Sequence, residues 1–165
     1  MRVAYADPPY IGQAKRHYGR EEVDHNKLIE RLETYDAWAL SASSPSLHQI
    51  IPMCLSDVRI AAWVKPFASF KPGVNPAYAW EPVLFKGPGG GKDVDTVRDW
   101  VSCNITMRKG LSGAKPRGFC FWLFNLLGLE LGDEFNDLFP GTGIVTECWS
   151  EFCARPRVPI MGRLI

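Results

Sequence analysis

Short apolar runs alternate with helically spaced apolar positions along this chain. The runs predict strands at residues 2–6, 37–41, 59–64, 79–85 and 135–139. The helical spacing predicts helices over 26–34, 45–52 and 144–152, and a further helix from Pro116 to Leu127. Strands that alternate with helices indicate an α/β fold with a largely parallel sheet, whose ligands gather at the carboxyl ends of the strands.

Composition and charge narrow the class of protein. The chain has 165 residues, of which 46% are apolar and 22% charged, and this predicts one folded domain over residues 1–165. The net charge is only +1, so a nucleic acid would have to be held by a local patch rather than by overall charge.

Targeting segments and metal sites are not expected. The first predicted strand begins almost at Met1 and leaves no space for a signal peptide, and the longest apolar run, residues 118–129, is shorter than the roughly 20 residues of a bilayer span. We therefore expect a cytoplasmic protein that contacts no membrane. Five cysteines without a Cys-x-x-Cys pair and three widely separated histidines predict neither a metal site nor a disulfide framework.

A rigid tetrapeptide follows the first strand directly: Asp7, Pro8, Pro9 and Tyr10. Two successive prolines fix the backbone, so the Asp7 carboxylate and the Pro8 carbonyl stand as preorganised acceptors for the N–H groups of an amine. Tyr10 offers a flat face on which a nucleobase could stack, a contact typically worth about 1 to 3 kcal/mol. A plain rigid turn is the alternative interpretation.

A glycine segment follows the last predicted strand. Glycines at a strand-to-helix turn allow close approach of a ligand to the backbone, and the next helix presents its positive end to a carboxylate. Asp137 could bind an ammonium group, or it could simply cap a turn made by Pro140 and Gly141. The candidate cofactor-binding residues here are Asp137, Phe139, Pro140, Gly141, Thr142 and Gly143.

Both segments resemble motifs of the amino methyltransferases that use S-adenosylmethionine, most closely those that act on adenine N6 in DNA. Asp7 to Tyr10 resembles their catalytic tetrapeptide, and Asp137 to Gly143 resembles their cofactor motif. Lys115-Pro116 and the segment Trp80 to Phe85 are similar to further segments of one subgroup, the permuted class beta, which has the catalytic motif first and the glycine motif last. The resemblance covers residues 1 to about 152.

The resemblance implies a Rossmann-like methyltransferase sheet, mostly parallel, with the two loops side by side at its carboxyl edge. It implies S-adenosylmethionine as cofactor, with Lys115 and Asp7 joining the cofactor-binding residues. The family normally continues past the glycine motif with a strand that ends in a ribose-binding acid. Nothing suitable follows here, so we expect a sheet shortened at its C-terminal end, with Glu147 or an unrelated residue as substitute.

DNA is the partner that the resemblance implies. Residues 86–113 are a candidate for a small target-recognition insertion, and the glycine-rich run within them is either a flexible connector or a phosphate-contacting loop. A homodimer and a second subunit both remain open. Candidate phosphate contacts, which could equally be ordinary solvated charges, are Lys15, Arg16, Arg20, Arg108 and Lys109.

The implied activity is methyl transfer from S-adenosylmethionine to the exocyclic N6 amine of adenine in DNA. Cytosine N4 and RNA are alternative targets. Methylation at cytosine C5 is excluded, because its cysteine nucleophile follows a proline and the chain has no Pro-Cys dipeptide. A shortened, non-catalytic relative that binds DNA or a partner is the alternative from another class.

Overall fold

A six-stranded sheet forms the centre of the computed structural model, which describes residues 1–14, 21–66, 72–87, 96–106 and 114–155. The strands lie across the sheet in the order β5-β3-β4-β2-β1-β6. Their bounds are β1 Arg2–Ala6, β2 Ala37–Ser41, β3 Arg59–Val64, β4 Trp80–Lys86, β5 Trp100–Ser102 and β6 Glu134–Asp137.

Four α-helices lie in the described ranges, close to the predicted positions. Pro116 precedes α3, as expected of a residue that has no N–H to donate, and Pro52 lies in the 3-10 turn Ile51–Met53 that ends the second helical segment. The helices are α1 His25–Leu32, α2 Leu47–Ile50, α3 Arg117–Leu126 and α4 Ile144–Ala154.

Strand direction decides what meets at each edge of the sheet. β1 is parallel to both β2 and β6, and β3 is parallel to β5. β4 runs antiparallel to its neighbours β2 and β3. The expected α/β fold with a mostly parallel sheet is therefore confirmed. Because β4 is reversed, its amino end lies at the same edge as the carboxyl ends of the other strands.

Both faces of the sheet are covered, which explains why the central strands are apolar without strict alternation. Along β1, Val3 and Tyr5 pack on one face in a cluster that includes α3 and α4 residues. Ala4 and Ala6 pack on the other face, in a cluster that includes residues of α1 and α2. The catalytic candidates at the end of β1 thus follow a strand whose last four residues are buried.

Three differences from the sequence-based expectations concern the strands. β5 was not predicted, because three residues with two exposed side chains leave no readable pattern. β6 ends at Asp137 rather than at 139, which releases Leu138 and Phe139 into the glycine segment. Strand β4 is antiparallel, and local apolar patterns do not encode direction.

Some predicted features lie outside the described residues. They are most of the glycine-rich run after Gly87 and all five candidate phosphate contacts, Lys15, Arg16, Arg20, Arg108 and Lys109. Within the described ranges, no helix is both long enough and apolar enough to cross a bilayer.

The N-terminus of α1 gives a test of local stability. The Asp24 side chain accepts a hydrogen bond of 3.1 Å from the Lys27 backbone N–H. Replacing Asp24 with alanine should lower the free energy of unfolding by about 1 kcal/mol, because a helix cap is lost. Urea denaturation measures this change. Glu30→Ala, at an exposed position of the same helix, is the control and should change stability by less than about 0.5 kcal/mol.

Candidate active site

The two motif segments leave neighbouring strands at the same edge of the sheet. β1 and β6 are parallel partners, with Tyr5 opposite Asp137. The Leu138 backbone N–H donates to the Tyr5 carbonyl at 2.9 Å, so the pairing continues to the strand ends. Asp7 and the glycine segment therefore emerge side by side, although they are far apart in sequence.

A buried lysine joins Asp7 to a second carboxylate. Lys115 Nζ lies 3.0 Å from Asp7 Oδ1 and 2.9 Å from Glu81 Oε2. The Lys115 side chain is only 4% exposed, and the other oxygen of Glu81, Oε1, binds the Lys65 ammonium. We call Asp7, Glu81, Lys65 and Lys115 the charge cluster; its two carboxylates and two ammonium groups balance.

Two aromatic rings pack against the lysines of the charge cluster. The ammonium groups of Lys65 and Lys115 lie 4.8 and 5.2 Å from the centre of the Trp63 ring, and Lys115 lies 5.5 Å from that of Phe119. Trp63 is fixed by a 2.8 Å hydrogen bond from its indole N–H to the Cys103 carbonyl. Ring faces attract cations, so these contacts hold the lysines where water is scarce.

Burial and charge act differently on the two carboxyl groups of the cluster. Burial raises the pKa of Asp7 above its ordinary value, and Lys115 only partly opposes this. Burial also acts to raise the pKa of Glu81, but Lys115 and Lys65 outweigh it and hold that pKa below its usual range. Glu81 is thus the firmly ionised member, and Asp7 has the higher affinity for a proton.

Lys115 stays charged in spite of its burial. Desolvation alone would lower the pKa of its ammonium, but the negative charge of Asp7 and its neighbours raises the pKa well above the ordinary value. The family resemblance implies that Lys115 binds the cofactor, and that role stays a prediction. Its observed contacts connect it to Asp7 instead.

Tyr10 is held beside the charge cluster. Burial raises the pKa of its hydroxyl, and the nearby negative charges of Glu81 and Asp7 add to the effect, so the hydroxyl keeps its proton. The backbone turns directly afterwards: the Gln13 N–H donates to the Tyr10 carbonyl at 2.8 Å, and Gly12 adopts a φ of 78°. The Glu22 carboxylate accepts the Gly12 and Ala14 N–H groups, both at 3.2 Å, and closes this turn.

The glycine segment presents a carboxylate oxygen with no partner. Asp137 Oδ1 accepts the Phe139 N–H at 3.2 Å, whereas Oδ2 is buried and has no hydrogen-bond partner among the described residues. Burial raises the pKa of Asp137 to about 6, and the Asp7 charge adds to this rise. A buried oxygen of this kind is costly unless a cation or donor binds it.

Gly141 and Gly143 give the segment its shape. Their φ values are 49° and 78°, a region that L side chains rarely adopt. The Gly143 N–H donates to the Pro140 carbonyl at 2.6 Å, and Gly143 immediately precedes α4. A Cβ built on Gly143 would meet no atom within 4 Å, so the start of this helix faces open space.

Sequence reasoning missed the partnership between Lys65 and Glu81. Glu81 was noted only for its place in the Trp80 to Phe85 segment, and nothing in the sequence pairs it with residues 16 and 34 positions away. Glu147, considered as a substitute ribose ligand, is exposed and pairs with Arg117 at 2.9 Å. Among the described residues, no group of three or more His, Cys, Asp or Glu side chains could hold a metal.

The comparisons with known proteins support the fold. No protein-family model matches the chain, and no curated protein matches it. The crystal structure of the M1.HpyAVI complex with S-adenosylmethionine superposes with a TM-score of 0.58 at 14% sequence identity, over 92% of this chain and 78% of that one. The Rossmann-like α/β fold predicted from the sequence is thereby confirmed.

Proposed function

We propose that this protein is a methyltransferase that transfers the methyl group of S-adenosylmethionine to the exocyclic N6 amine of adenine in DNA. The observation that carries the proposal is the adjacency of the Asp7 tetrapeptide and the glycine segment at the ends of β1 and β6. A donor site and an amine site must lie next to each other for direct transfer. The motif order of the permuted class beta agrees with this proposal.

The glycine segment fits the donor. Asp137 Oδ2 is buried and unpartnered, as expected of an oxygen that binds the ammonium group of a methionine moiety. The open space at Gly143 leaves the first N–H groups of α4 free to approach a carboxylate. The M1.HpyAVI structure with the same fold is a complex with S-adenosylmethionine. When bound, S-adenosylmethionine supplies an electrophilic methyl group on its sulfonium.

The Asp7 tetrapeptide fits the amine. An exocyclic base amine is a poor nucleophile, so both of its N–H groups need acceptors that aim the nitrogen at the methyl group. Lys115 binds Asp7 Oδ1 and leaves Oδ2 to accept one N–H, while the Pro8 carbonyl accepts the other. The new N–C bond forms as the S–C bond breaks, and the amine proton passes to Asp7, whose pKa is raised by burial.

Tyr10 is the residue on which the target base stacks. Its ring is partly exposed, and the turn that follows it fixes its backbone, so a flipped base has a face to stack on. Asp7 favours adenine over cytosine N4, since enzymes of the cytosine group more often have serine at this position. The proposed contacts to DNA phosphates are Lys15, Arg16, Arg20, Arg108 and Lys109.

The pH dependence of donor binding tests the role of Asp137. Its pKa is raised to about 6, and only the carboxylate binds an ammonium group, so affinity should be full above pH 7 and fall as the pH drops through 6. At pH 5 we expect roughly tenfold weaker binding of S-adenosylmethionine than at pH 7.5, measured by calorimetry. Asp137→Asn should bind weakly at both pH values, whereas Glu134→Gln, exposed on the same strand, should behave as wild type.

Calorimetry at neutral pH also separates the enzyme from a non-catalytic module. An enzyme should bind S-adenosylmethionine in the micromolar range, since that is the usual range of substrate constants. A titration without heat at millimolar S-adenosylmethionine would instead favour the module.

A further inference from the structure

We infer that Glu81 is a positioning residue of the amine site, which fixes the Asp7 carboxylate by sharing Lys115 with it. The inference rests on the proposed role of Asp7. Glu81 lies at the amino end of β4, which the reversed direction of that strand brings to the edge where β1 ends.

The geometry supports a shared lysine. Asp7 and Glu81 bind the same Nζ at 3.0 and 2.9 Å, so their oxygens are at most 5.9 Å apart, the sum of these two distances. Their side chains are 22% and 14% exposed, so water screens them poorly. Each carboxylate therefore affects how strongly the other is held by Lys115.

Lys65 offsets part of the negative charge of Glu81. It binds Glu81 Oε1 and lies over Trp63, whereas Lys115 binds Glu81 Oε2. With Lys65 present, Glu81 has a cation on each oxygen and repels Asp7 only weakly. Without it, Glu81 would keep only the cation that it shares with Asp7 and would repel Asp7 more strongly.

The two members of this pair should thus act on Asp7 in opposite directions. Removal of the Glu81 charge leaves Lys115 to Asp7 alone and favours the Asp7 carboxylate. Removal of the Lys65 charge strengthens the repulsion between Glu81 and Asp7 and disfavours the Asp7 carboxylate. The other groups that face Asp7 stay in place in both variants: Asp137 on β6, the Tyr5 hydroxyl bound to Ser41 at 2.8 Å, and Tyr10.

The titration of Asp7 tests the inference directly. Carbon-13 NMR of the labelled Asp7 carboxyl, assigned by comparison with Asp7→Asn, would be followed with pH in the wild type, Glu81→Gln and Lys65→Met. We expect the apparent pKa of Asp7 to fall by about one unit in Glu81→Gln and to rise in Lys65→Met. The control is Lys86→Met. Lys86 also lies on β4 and is ion-paired, but to Glu33 and Asp57 at 2.9 and 3.2 Å. This variant should leave the pKa of Asp7 unchanged.

The pH profile of kcat/KM for DNA, measured at saturating S-adenosylmethionine, gives the matching kinetic readout. Its acid limb should move to lower pH in Glu81→Gln and to higher pH in Lys65→Met. The inference is overturned if the two variants shift Asp7 in the same direction, or no further than Lys86→Met does. If Glu81→Gln does not fold, Lys65→Met still overturns the inference by leaving the pKa of Asp7 unchanged. If the two variants shift the pKa of Asp7 in opposite directions but the wild-type protein transfers no methyl group, the role of Glu81 is supported and the proposed function is refuted.

Discussion

Replacing Asp7 with alanine is expected to slow methyl transfer to DNA by about 100-fold to 1000-fold. The variant loses the carboxylate that accepts an amine N–H and that takes up the released proton, and removal of one preorganised hydrogen-bonding group at a reacting centre has effects of this size. The rate is measured as transfer of a labelled methyl group from S-adenosylmethionine to unmethylated DNA. The effect on transfer should exceed the effect on donor binding.

Asp57→Ala is the matched control for Asp7→Ala. Asp57 also pairs with a lysine, Lys86, but near the end of β4 opposite to Glu81, away from the charge cluster. Its loss should leave the rate of transfer within about a factor of two, as expected of a surface ion pair remote from the site. Equal rates in Asp7→Ala and wild type would remove Asp7 from the mechanism.

Replacing Lys115 with methionine is expected to have the largest effect on stability. The variant keeps the volume of the side chain but leaves the carboxylates of Asp7 and Glu81 without their shared cation. Breaking a buried ion pair on one side costs about 3 to 5 kcal/mol, and we expect about 3, since Glu81 retains Lys65. Urea denaturation at pH 8 measures the loss.

The loss in Lys115→Met should shrink as the pH falls. Without Lys115 the folded-state pKa of Asp7 lies further above its unfolded value, so protonation of Asp7 favours the folded state of the variant. The difference from wild type should therefore be smaller at pH 5 than at pH 8. Lys27→Met, which removes an exposed pair with Asp24 at 3.7 Å, should cost less than about 1 kcal/mol at either pH. A pH-independent loss in Lys115→Met would contradict the proposed charge of Asp7.

Much of the fold could be read from local patterns. The buried strands and the helices of this chain have apolar runs and spacings long enough to be recognised, and prolines mark where α3 begins and where the second helical segment ends. The reversed direction of β4 could not be read, because a strand that is buried along most of its length looks the same in either direction. That direction is what brings Glu81 to the site.

The candidate site could be predicted only in part for a similar reason. The tetrapeptide and the glycine segment are contiguous motifs that follow strands, so the parallel topology was sufficient to bring them together. The charge cluster depends on pairings between β3, β4 and the start of α3, which no local pattern specifies. Lys65 in particular is a lone lysine after a strand, and only the structure gives it a partner.

Mass spectrometry of nucleosides tests the proposed activity most directly. Purified protein would be incubated with unmethylated DNA and S-adenosylmethionine that carries a deuterated methyl group, and the DNA would then be digested. We predict N6-methyladenine with three deuterium atoms in the wild-type reaction and none with Asp7→Ala. Deuterium in a different nucleoside, or in none despite bound S-adenosylmethionine, would contradict the account.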